Sequence, residues 1–540
     1  MYSKVLSGVL EGLEAQVICV EADISDGLPV FEMVGYLASE VKEARERVRA
    51  AMKNQGFILP PKRITVNLSP ADIRKSGSLY DLPVAIAVLS AAGYGIKMRE
   101  PILFLGELGL DGSLRGVDGV LPLVLNASQE GIRLCIVPAQ NRQEAALADG
   151  IMAVGGTDLK EVVDFLSALA ESSDRQTFLE QRMILEESRE KEACMEEGRS
   201  DSYSHEKSDW KHMKKEKQEQ LDFCDIRGQF IPRRAIEIAV CGHHNLLFTG
   251  PPGSGKTALA RRIPSIMPSL TKEESLEVTK IYSISNQKEQ KGKIIRKRPF
   301  RSPHHTISIA AMIGGGPKAK PGEVSLAHRG VLFLDEFLEY DRHILDLMRQ
   351  PLEEGIAVVS RNKRSCIYPA DFMLVAAMNP CPCGYFPDRR RCFCTEKQIR
   401  KYQDKISGPM LDRLDLMVRV NPVSFEQLKS SDPGEDSGTI RARVERVREI
   451  QKLRFKKESY TANSKMNRKG LEKYCKLTEQ GEQQLKNLFA KQEISARGYE
   501  RILRVARTIA DMDESDIIEE RHLEEAAAFR FGLAGGGLYV

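Results

Sequence analysis

Short apolar runs separated by polar and glycine-rich segments recur along this chain and predict buried strands alternating with amphipathic helices. In the first third, Gln16–Val20, Arg63–Leu68 and Leu134–Val137 have the length and β-branched content of strands. Ser39–Met52 instead has its apolar residues at helical spacing. This mixture predicts an α+β domain over residues 1–166.

Three later apolar runs each end in polar residues, as the strands of a nucleotide-binding sheet do. They are Asn245–Thr249, Gly330–Leu334 and Phe372–Met378. From Ile440 onwards the pattern becomes helical throughout, with Leu503, Ala506 and Ala510 on one apolar face. We therefore expect an α/β core over residues 222–425 and an all-α domain over residues 426–540.

Between these regions, residues 167–221 are crowded with Glu, Lys, Ser and Gln and contain few apolar residues. Such a composition cannot bury enough apolar surface to fold alone, so we predict a charged, flexible linker.

Composition narrows the possible functions. The net charge is +4 over 540 residues, so any nucleic-acid contact must be a local patch. No apolar run is long enough to span a bilayer, and Lys4, Glu11 and Glu14 interrupt the first residues where a signal peptide needs an apolar core. We expect a cytoplasmic protein without membrane association, in which the eleven cysteines are free thiols or metal ligands.

The first chemical motif follows the run that ends at Thr249 and matches G-x-x-x-x-G-K-[S/T] at every fixed position. Its residues, predicted to bind ATP, are Gly250, Pro251, Pro252, Gly253, Ser254, Gly255, Lys256 and Thr257. Backbone N–H groups of such a loop cradle phosphates, and the start of the following helix favours negative charge. Lys256 is expected to reach the outer phosphates and Thr257 to ligate Mg²⁺.

The other two nucleotide-core runs carry candidate catalytic groups. Asp335 and Glu336 follow one strand, and we expect Asp335 to hold the magnesium and Glu336 to polarise the attacking water. Asn379 follows the other strand, where its amide can orient that water by hydrogen bonding.

Two basic segments are candidates for DNA contact. Strand-like sequence flanks Arg361, Lys363 and Arg364, which predicts a hairpin with a cationic tip. Arg296–His305 and Ile313–Lys320 are basic and glycine-rich and are interpreted as a second insertion. Its adjacent histidines, expected to face opposite ways on a strand, are not predicted to ligate a metal. Solvated surface charge is the alternative for both segments.

Four of the eleven cysteines lie close together in two C-x-C pairs, Cys381 with Cys383 and Cys392 with Cys394. Four thiolates on one short loop suit tetrahedral Zn²⁺, although C-x-x-C is the commoner spacing. Structural zinc is the prediction, with plain reduced thiols as the alternative. The enclosed Arg389–Arg391 would make a basic finger beside Asn379.

The first domain resembles the proteolytic-domain fold of Lon proteases, through Lys75–Val84 and Leu105–Arg115. Those proteases use a serine nucleophile and a lysine. The resemblance places Leu79 at the serine position and Leu121 at the lysine position, so it implies the fold without the peptidase.

In the nucleotide core, Asn379 looks like the first sensor of AAA+ ATPases. The segment Gly408–Asp415 resembles the one that carries the arginine finger in the Mg-chelatase and MCM branch, which implies that Arg413 serves a neighbouring subunit. Ser495–Arg501 resembles the second-sensor helix of the lid, implying that Arg497, or alternatively Arg501, touches the γ-phosphate.

Taken in order, these segments resemble the YifB/ComM family of Mg-chelatase-like AAA+ proteins. The resemblance implies an AAA+ core with a Lon-like domain and a helical lid, a hexamer that hydrolyses ATP with Mg²⁺, and, for ComM proteins, DNA branch migration in natural transformation. A DNA-acting ring motor is the leading hypothesis. A chelatase-like motor that remodels a partner or inserts a metal, a non-catalytic scaffold and a protease are the alternatives.

Overall fold

A computed structural model describes residues 1–96, 98–182, 184, 221–285, 294–316, 319–361, 364–425, 434–491 and 495–531. These residues form two compact units. The first contains the described residues up to 184 together with 275–285 and 294–295, and the second contains the remainder. The four-domain division remains a prediction, and residues 185–220 of the expected linker lie outside the described residues.

The first unit is built on strands and helices. Its strands are β1 (Tyr2–Glu11), β2 (Glu14–Ser25), β3 (Phe31–Val34), β4 (Arg63–Ser69), β5 (Ile102–Phe104), β6 (Glu107–Leu108), β7 (Leu114–Arg115), β8 (Leu134–Pro138) and β9 (Met152–Gly156). The helices described within residues 1–171 are α1 (Ser39–Asn54), α2 (Asp81–Ala92), α3 (Val120–Gln129), α4 (Arg142–Ala145) and α5 (Leu159–Glu171).

Seven of these strands form one mixed sheet in the order β3-β4-β2-β1-β5-β8-β9. The long antiparallel pair β1 and β2 turns tightly at Gly12, whose φ is +63°. Helix α2 packs against β1 and β2 and is buried along nearly its whole length, which explains its almost uniformly apolar sequence. The strands and helix predicted in this region are present, so the expected α+β domain is confirmed.

The second unit contains strands β10 (Leu246–Thr249), β11 (Phe300–Arg301), β12 (Gly314–Gly315), β13 (Lys320–Pro321), β14 (Val331–Leu334), β15 (Ile356–Arg361), β16 (Arg364–Pro369), β17 (Met373–Met378) and β18 (Leu416–Arg419). Its nucleotide-core helices are α6 (Phe230–Gly242), α7 (Lys256–Ile266), α8 (Lys272–Ser283, whose later residues belong to the first unit), α9 (Ile309–Met312), α10 (Glu323–Leu326), α11 (Arg342–Leu347), α12 (Arg349–Glu354), α13 (Glu396–Gln403) and α14 (Gly408–Leu411). The lid helices are α15 (Ser437–Arg454), α16 (Arg468–Tyr474), α17 (Glu479–Lys491), α18 (Ala496–Met512) and α19 (Glu520–Phe531).

Five strands of this unit form an all-parallel sheet in the order β11-β14-β17-β10-β18. The central strands β14 and β17 are buried at every position, because apolar clusters cover both faces of the sheet. The parallel order sets all the carboxyl ends of the strands along one edge. Ligands of open α/β sheets bind at that edge.

Helix α7 includes Pro264 and ends at Ile266, because a proline in the last turn removes only one backbone hydrogen bond near the helix end. The interpretation of the second insertion is wrong for Arg296–His305, since Phe300 and Arg301 form the edge strand β11 of the core sheet. Further along the same insertion, β12 and β13 do pair as an antiparallel hairpin. Arg301 pairs with Glu323 at 2.6 Å instead of presenting free charge. The predicted hairpin of β15 and β16 is present.

A buried ion cluster joins the lid helices. Asp511 on α18 accepts hydrogen bonds from Arg454 at 2.7 Å, from Asn463 at 2.7 Å and from Arg507 at 3.0 Å. Asp511 and Arg507 are both 1% exposed. A buried charge of this kind is tolerated only while its partners remain, so the cluster fixes how α15 and α18 meet.

We expect Asp511→Ala to destabilise the lid by about 3–5 kcal/mol, because Arg507 would then keep a buried, uncompensated charge. Differential scanning calorimetry of the full chain should show an unfolding transition at lower temperature. Glu514→Ala is the matched control, since Glu514 is an exposed carboxylate that pairs with Arg446 at 3.3 Å. Equal transitions for the two variants would contradict the structural role given to the cluster.

Candidate nucleotide-binding site

The loop between β10 and α7 has the backbone geometry of a phosphate cradle. Gly250 leaves β10 beside Val420, and a Cβ on Gly250 would lie 2.2 Å from the carbonyl oxygen of Val420. Gly253 and Gly255 have φ values of +76° and +94°, a region that side chains avoid. These glycines let the chain curl around the start of α7, where free N–H groups favour an anion.

The Lys256 ammonium group lies at the centre of this loop. It donates hydrogen bonds to the carbonyl oxygens of Gly250 at 2.7 Å and Pro251 at 2.9 Å. It also donates to the Asn379 side-chain oxygen at 3.3 Å. Burial lowers the pKa of Lys256, and the nearby negative charge of Asp335 opposes that shift. The cation is thus held beside the loop, within reach of a bound phosphate.

The acidic pair lies at the end of β14, the neighbour of β17 in the sheet. The Thr257 hydroxyl donates a hydrogen bond to the Asp335 carboxylate at 2.7 Å. A hydroxyl and a carboxylate in contact are the oxygen ligands that Mg²⁺ prefers, so Thr257 and Asp335 fit the ion expected there. Glu336 follows with a φ of +50°, and its side chain is 58% exposed.

The order of the strands explains why residues far apart in the chain meet here. Strand β17 lies between β10 and β14, so Asn379 emerges between the phosphate loop and the acidic pair. The structure therefore brings together Lys256, Thr257, Asp335 and Asn379. The chemical roles predicted for them remain predictions.

Two further residues at this site escaped the sequence analysis. His305 Nδ1 lies 3.0 Å from the Glu336 carboxylate, so an imidazole faces the group expected to activate water. Gln229 donates hydrogen bonds to the carbonyl oxygens of Ser254 at 3.3 Å and Asn421 at 2.6 Å, bracing the phosphate loop. The expectation that the adjacent histidines face opposite ways is wrong, because His304 and His305 follow β11 in a turn and their rings lie 4.1 Å apart.

The two predicted arginines lie at the other edge of the sheet. Arg413 precedes β18 and pairs with Glu353 on α12. The side chain of Arg497, which is 63% exposed, lies 3.7 Å from Asp412. Asp415 lies two residues after Arg413 in the chain. Its backbone N–H donates a hydrogen bond to the carbonyl oxygen of Asn245, the residue just before β10. These residues are thus at the amino ends of the strands.

That edge contains a cavity of about 290 Å³ lined by charged groups. Its cations are Arg413, Lys465, Arg497, Arg501 and Arg504, and its carboxylates are Glu353, Asp412, Asp415 and Glu500. Burial opposes ionisation of Asp415, but Arg501 and His244 hold its pKa below the ordinary value. Arg501 therefore forms an ion pair with Asp415, whereas most of the Arg497 side chain is exposed to solvent.

The cationic cavity lies at the amino end of β10 and the phosphate loop at its carboxyl end. The strand is four residues long, so it spans about 13 Å. Parallel pairing aligns Leu246 with Leu416 at one end and Thr249 with Arg419 at the other. Arg413 and Arg497 consequently lie across the sheet from the phosphate loop of the same chain.

The candidate DNA residues lie at the tip of the hairpin of β15 and β16. Arg361 ends one strand and Arg364 begins the other. Lys363 lies outside the described residues. The expected hairpin is therefore found, and DNA contact by these three residues remains a prediction.

The four predicted zinc ligands converge. The Sγ atoms of Cys381, Cys383, Cys392 and Cys394 all lie within 4.8 Å of one another. The separations are 3.3 Å from Cys381 to Cys383 and 3.7 Å from Cys381 to Cys392. Tetrahedral Zn²⁺ with Zn–S bonds of about 2.3 Å separates its sulfurs by roughly 3.8 Å, so the cluster fits this ion. Phe386 N–H donates a hydrogen bond to Cys381 Sγ at 3.4 Å.

This cysteine loop touches the nucleotide site. Gly384 has a φ of +85°, and a Cβ there would lie 2.6 Å from Pro252 Cδ and 3.8 Å from Asn379 Cγ. Only glycine lets the loop approach the phosphate cradle so closely. The cysteine cluster therefore supports both the loop and Asn379 from one side.

In the first unit, Leu79 and Leu121 are both buried in the apolar interior. The Leu121 backbone N–H donates to the buried Glu144 carboxylate at 3.0 Å. Two aliphatic side chains supply neither a nucleophile nor a base, and the absence of a peptidase remains a prediction.

A parallel five-stranded sheet with a phosphate loop, an acidic pair and a polar residue at three adjacent strand ends defines a P-loop ATPase of the AAA+ class. Three family profiles match the chain. "Magnesium chelatase, subunit ChlI" covers residues 222–428, "Subunit ChlI of Mg-chelatase" covers 20–141, and "Magnesium chelatase, subunit ChlI C-terminal" covers 434–530.

Individual relatives extend these matches to nearly the full length. The chain is 41% identical to "Uncharacterized protein YifB" of Escherichia coli over 96% of this chain and 95% of that one. It is 40% identical to "Competence protein ComM" of Haemophilus influenzae over the same shares. A Lon protease of Mycolicibacterium smegmatis is 27% identical over 30% of this chain and 21% of its own.

The chain therefore belongs to the YifB/ComM family of Mg-chelatase-like AAA+ ATPases. The predicted family and fold class are confirmed, with an AAA+ core, a Lon-like α+β domain and a helical lid. Among the described residues, no helix combines the length and apolar character needed to cross a membrane.

We expect Gly384→Ala to raise the Kd for ATP about tenfold, because the new Cβ would push Pro252 and the phosphate loop aside. Gly316→Ala is the matched control. Gly316 has a φ of +80°, so the backbone strain is similar, but nothing lies within 4 Å of its added Cβ. Titration with a fluorescent ATP analogue measures both. Equal affinities would show that the contact with Pro252 does not position the loop.

Proposed function

We propose that this chain is an ATP-driven ring motor that acts on DNA, with ComM-like branch migration or helicase activity. The observation that carries the proposal is the contact set of Lys256, Thr257, Asp335 and Asn379 at the carboxyl edge of the parallel sheet. This edge binds ligands in open α/β folds. Phosphoryl transfer depends mainly on positioning and on electrostatic stabilisation, and these residues supply both.

Each residue has a distinct role in this proposal. The backbone of residues 250–255 and the Lys256 ammonium bind the phosphates. Thr257 and Asp335 hold Mg²⁺, which neutralises developing charge when it is bound. Glu336, exposed beside the site, accepts a proton from the attacking water, and Asn379 orients that water.

The position of the arginines supports a ring. Arg413 and Arg497 lie across the sheet from their own phosphate loop, so we propose that both reach the nucleotide of an adjacent subunit. A guanidinium supplied in this way stabilises transition-state charge. The protein then works as a homo-oligomer, and the family favours a hexamer.

DNA is the proposed substrate for two reasons. Arg361 and Arg364 pair at the end of the hairpin of β15 and β16, with Lys363 between them in the sequence. Repeated cations around a ring would bind phosphates without sequence preference. The relative from Haemophilus influenzae is named a competence protein. The chelatase-like alternative, a motor that remodels a partner or inserts a metal, is favoured by the magnesium chelatase profiles.

We further propose a structural Zn²⁺ held by Cys381, Cys383, Cys392 and Cys394, supported by the convergence of the four sulfurs. The cytoplasm is the proposed location. It supplies ATP and keeps thiols reduced, in agreement with the free cysteines of the described residues.

A mixing experiment tests the shared site. Arg413→Ala and Lys256→Ala subunits should each hydrolyse ATP at least about 100-fold more slowly than the unaltered protein, because each loses one half of the site. Mixed together, they should recover part of the activity, since some interfaces pair an intact loop with an intact arginine. The control is a mixture of Arg413→Ala with the double variant Lys256→Ala/Arg413→Ala. Its ATPase activity should not recover, because no subunit supplies Arg413. Equal rates in the two mixtures would refute a site shared between subunits.

Changing Arg361, Lys363 and Arg364 together to Ala should abolish stimulation of the ATPase by forked or four-way DNA, because the phosphate contacts are lost. ATP turnover with and without DNA is the measurement. Removing three exposed cations of α1, Lys42, Arg45 and Arg49, serves as a charge-matched control. An unaltered protein that neither responds to DNA nor binds it at low salt would favour the chelatase-like alternative.

A further inference from the structure

The cysteine finger, defined as Cys381–Cys394, exposes a large apolar side chain to solvent. Phe393 is 87% exposed, the most exposed large apolar side chain among the described residues. It lies between Cys392 and Cys394, both members of the thiol cluster. Metal ligation on each side would fix its backbone, so the ring cannot turn inward. An aromatic ring held out in this way is available to a partner.

Exposed cations lie close to Phe393 in the chain. Arg390, Lys397, Arg400 and Lys401 are exposed, and none of their side chains has a hydrogen-bond or ion-pair partner among the described residues. The last three share one face of α13 by their spacing of three and four residues. Four exposed cations therefore lie within eight residues of Phe393 in the chain, and three of them share one face of α13.

The other two arginines of the finger are already engaged. Arg389 donates to the Cys394 carbonyl oxygen at 2.9 Å, and the Arg391 guanidinium lies 3.9 Å from the centre of the Tyr385 ring. Both lie against the finger, where they offset the negative charge that four thiolates leave on Zn²⁺. The four unpaired cations thus remain free to bind an external anion.

We propose that the cysteine finger binds single-stranded DNA, with Phe393 stacking on a base and the cations beside it binding phosphates. The inference rests on the proposed function, in which DNA is the substrate. Aromatic rings beside a basic groove are the general device for holding unpaired strands, since every base has a face to stack. A paired base has no free face, so the exposed ring selects single strands.

The cysteine finger also contacts residues of the nucleotide-binding site. Its Gly384 contacts Pro252 of the phosphate loop, and Cys381 follows Asn379 by two residues. Asn379 in turn accepts the hydrogen bond from Lys256. A strand that moves the finger therefore moves groups that touch the phosphates, which makes ATP turnover a readout of binding.

The test compares Phe393→Ala, Phe393→Trp and Phe425→Ala in the full chain. Phe425 is 74% exposed and serves as the matched control. We expect Phe393→Ala to weaken binding of a fluorescent oligo(dT) about tenfold and to reduce stimulation of the ATPase by it. Phe393→Trp should retain both, because indole also stacks. Arg400→Ala should lower the slope of log affinity against log salt by about 0.7. Zinc content, measured for each protein, checks that the finger is intact.

The experiment distinguishes failure of the finger proposal from failure of the proposed function. If the unaltered protein binds oligo(dT) and Phe393→Ala binds it equally well, the finger proposal is overturned and the proposed function stands. An equal loss in Phe425→Ala also overturns it. If the unaltered protein binds neither oligo(dT) nor forked DNA at low salt, the proposed function fails and this inference fails with it.

Discussion

The hydrogen bonds of Lys256 depend on the order of strands in one parallel sheet. Because β17 lies between β10 and β14, the ammonium of Lys256 meets Asn379 on one side, and the neighbouring Thr257 meets Asp335 on the other. Residues separated by 78 and 123 positions in the chain become neighbours through this order alone. Gly250 then decides whether the loop can exist, since any side chain would strike the Val420 carbonyl. The apolar strands supply the rigidity, and the polar residues beyond their ends supply the chemistry.

The same sheet has a second edge, and its charges are arranged differently. There Arg501 is tied to Asp415, and Arg413 to Glu353, so the cations are held by carboxylates of their own chain. A buried arginine needs such a partner until a stronger anion replaces it. Glu353 is 56% exposed, so it regains water when Arg413 leaves it, and the exchange costs little. An arrangement of this kind suits arginines that engage phosphates only when another subunit supplies them.

How far the sequence predicted the site depends on how local each signal is. The phosphate loop and the cysteine pairs were predicted because their residues are adjacent in the chain and spaced by their chemistry. Gln229 and His305 were missed because their partners, Ser254 and Glu336, lie 25 and 31 positions away and no local pattern marks the contact. Arg296–His305 was misjudged for a related reason. A two-residue edge strand has no periodicity, so the surrounding basic residues suggested an insertion.

The first unit contains a buried hydrogen-bond network around Glu144. Leu121, which the sequence resemblance sets at the lysine position of the Lon-like pattern, is fully buried and donates its backbone N–H to Glu144. Burial raises the pKa of Glu144, and the hydrogen bonds that it accepts from Ser283, Leu121 and Asn141 oppose that shift. The network reaches Ser283, which follows the phosphate loop in sequence but packs in the first unit. Leu79 and Leu121 thus contribute to the packing of the first unit, and Glu144 contributes hydrogen bonds to Leu121 and Ser283 there.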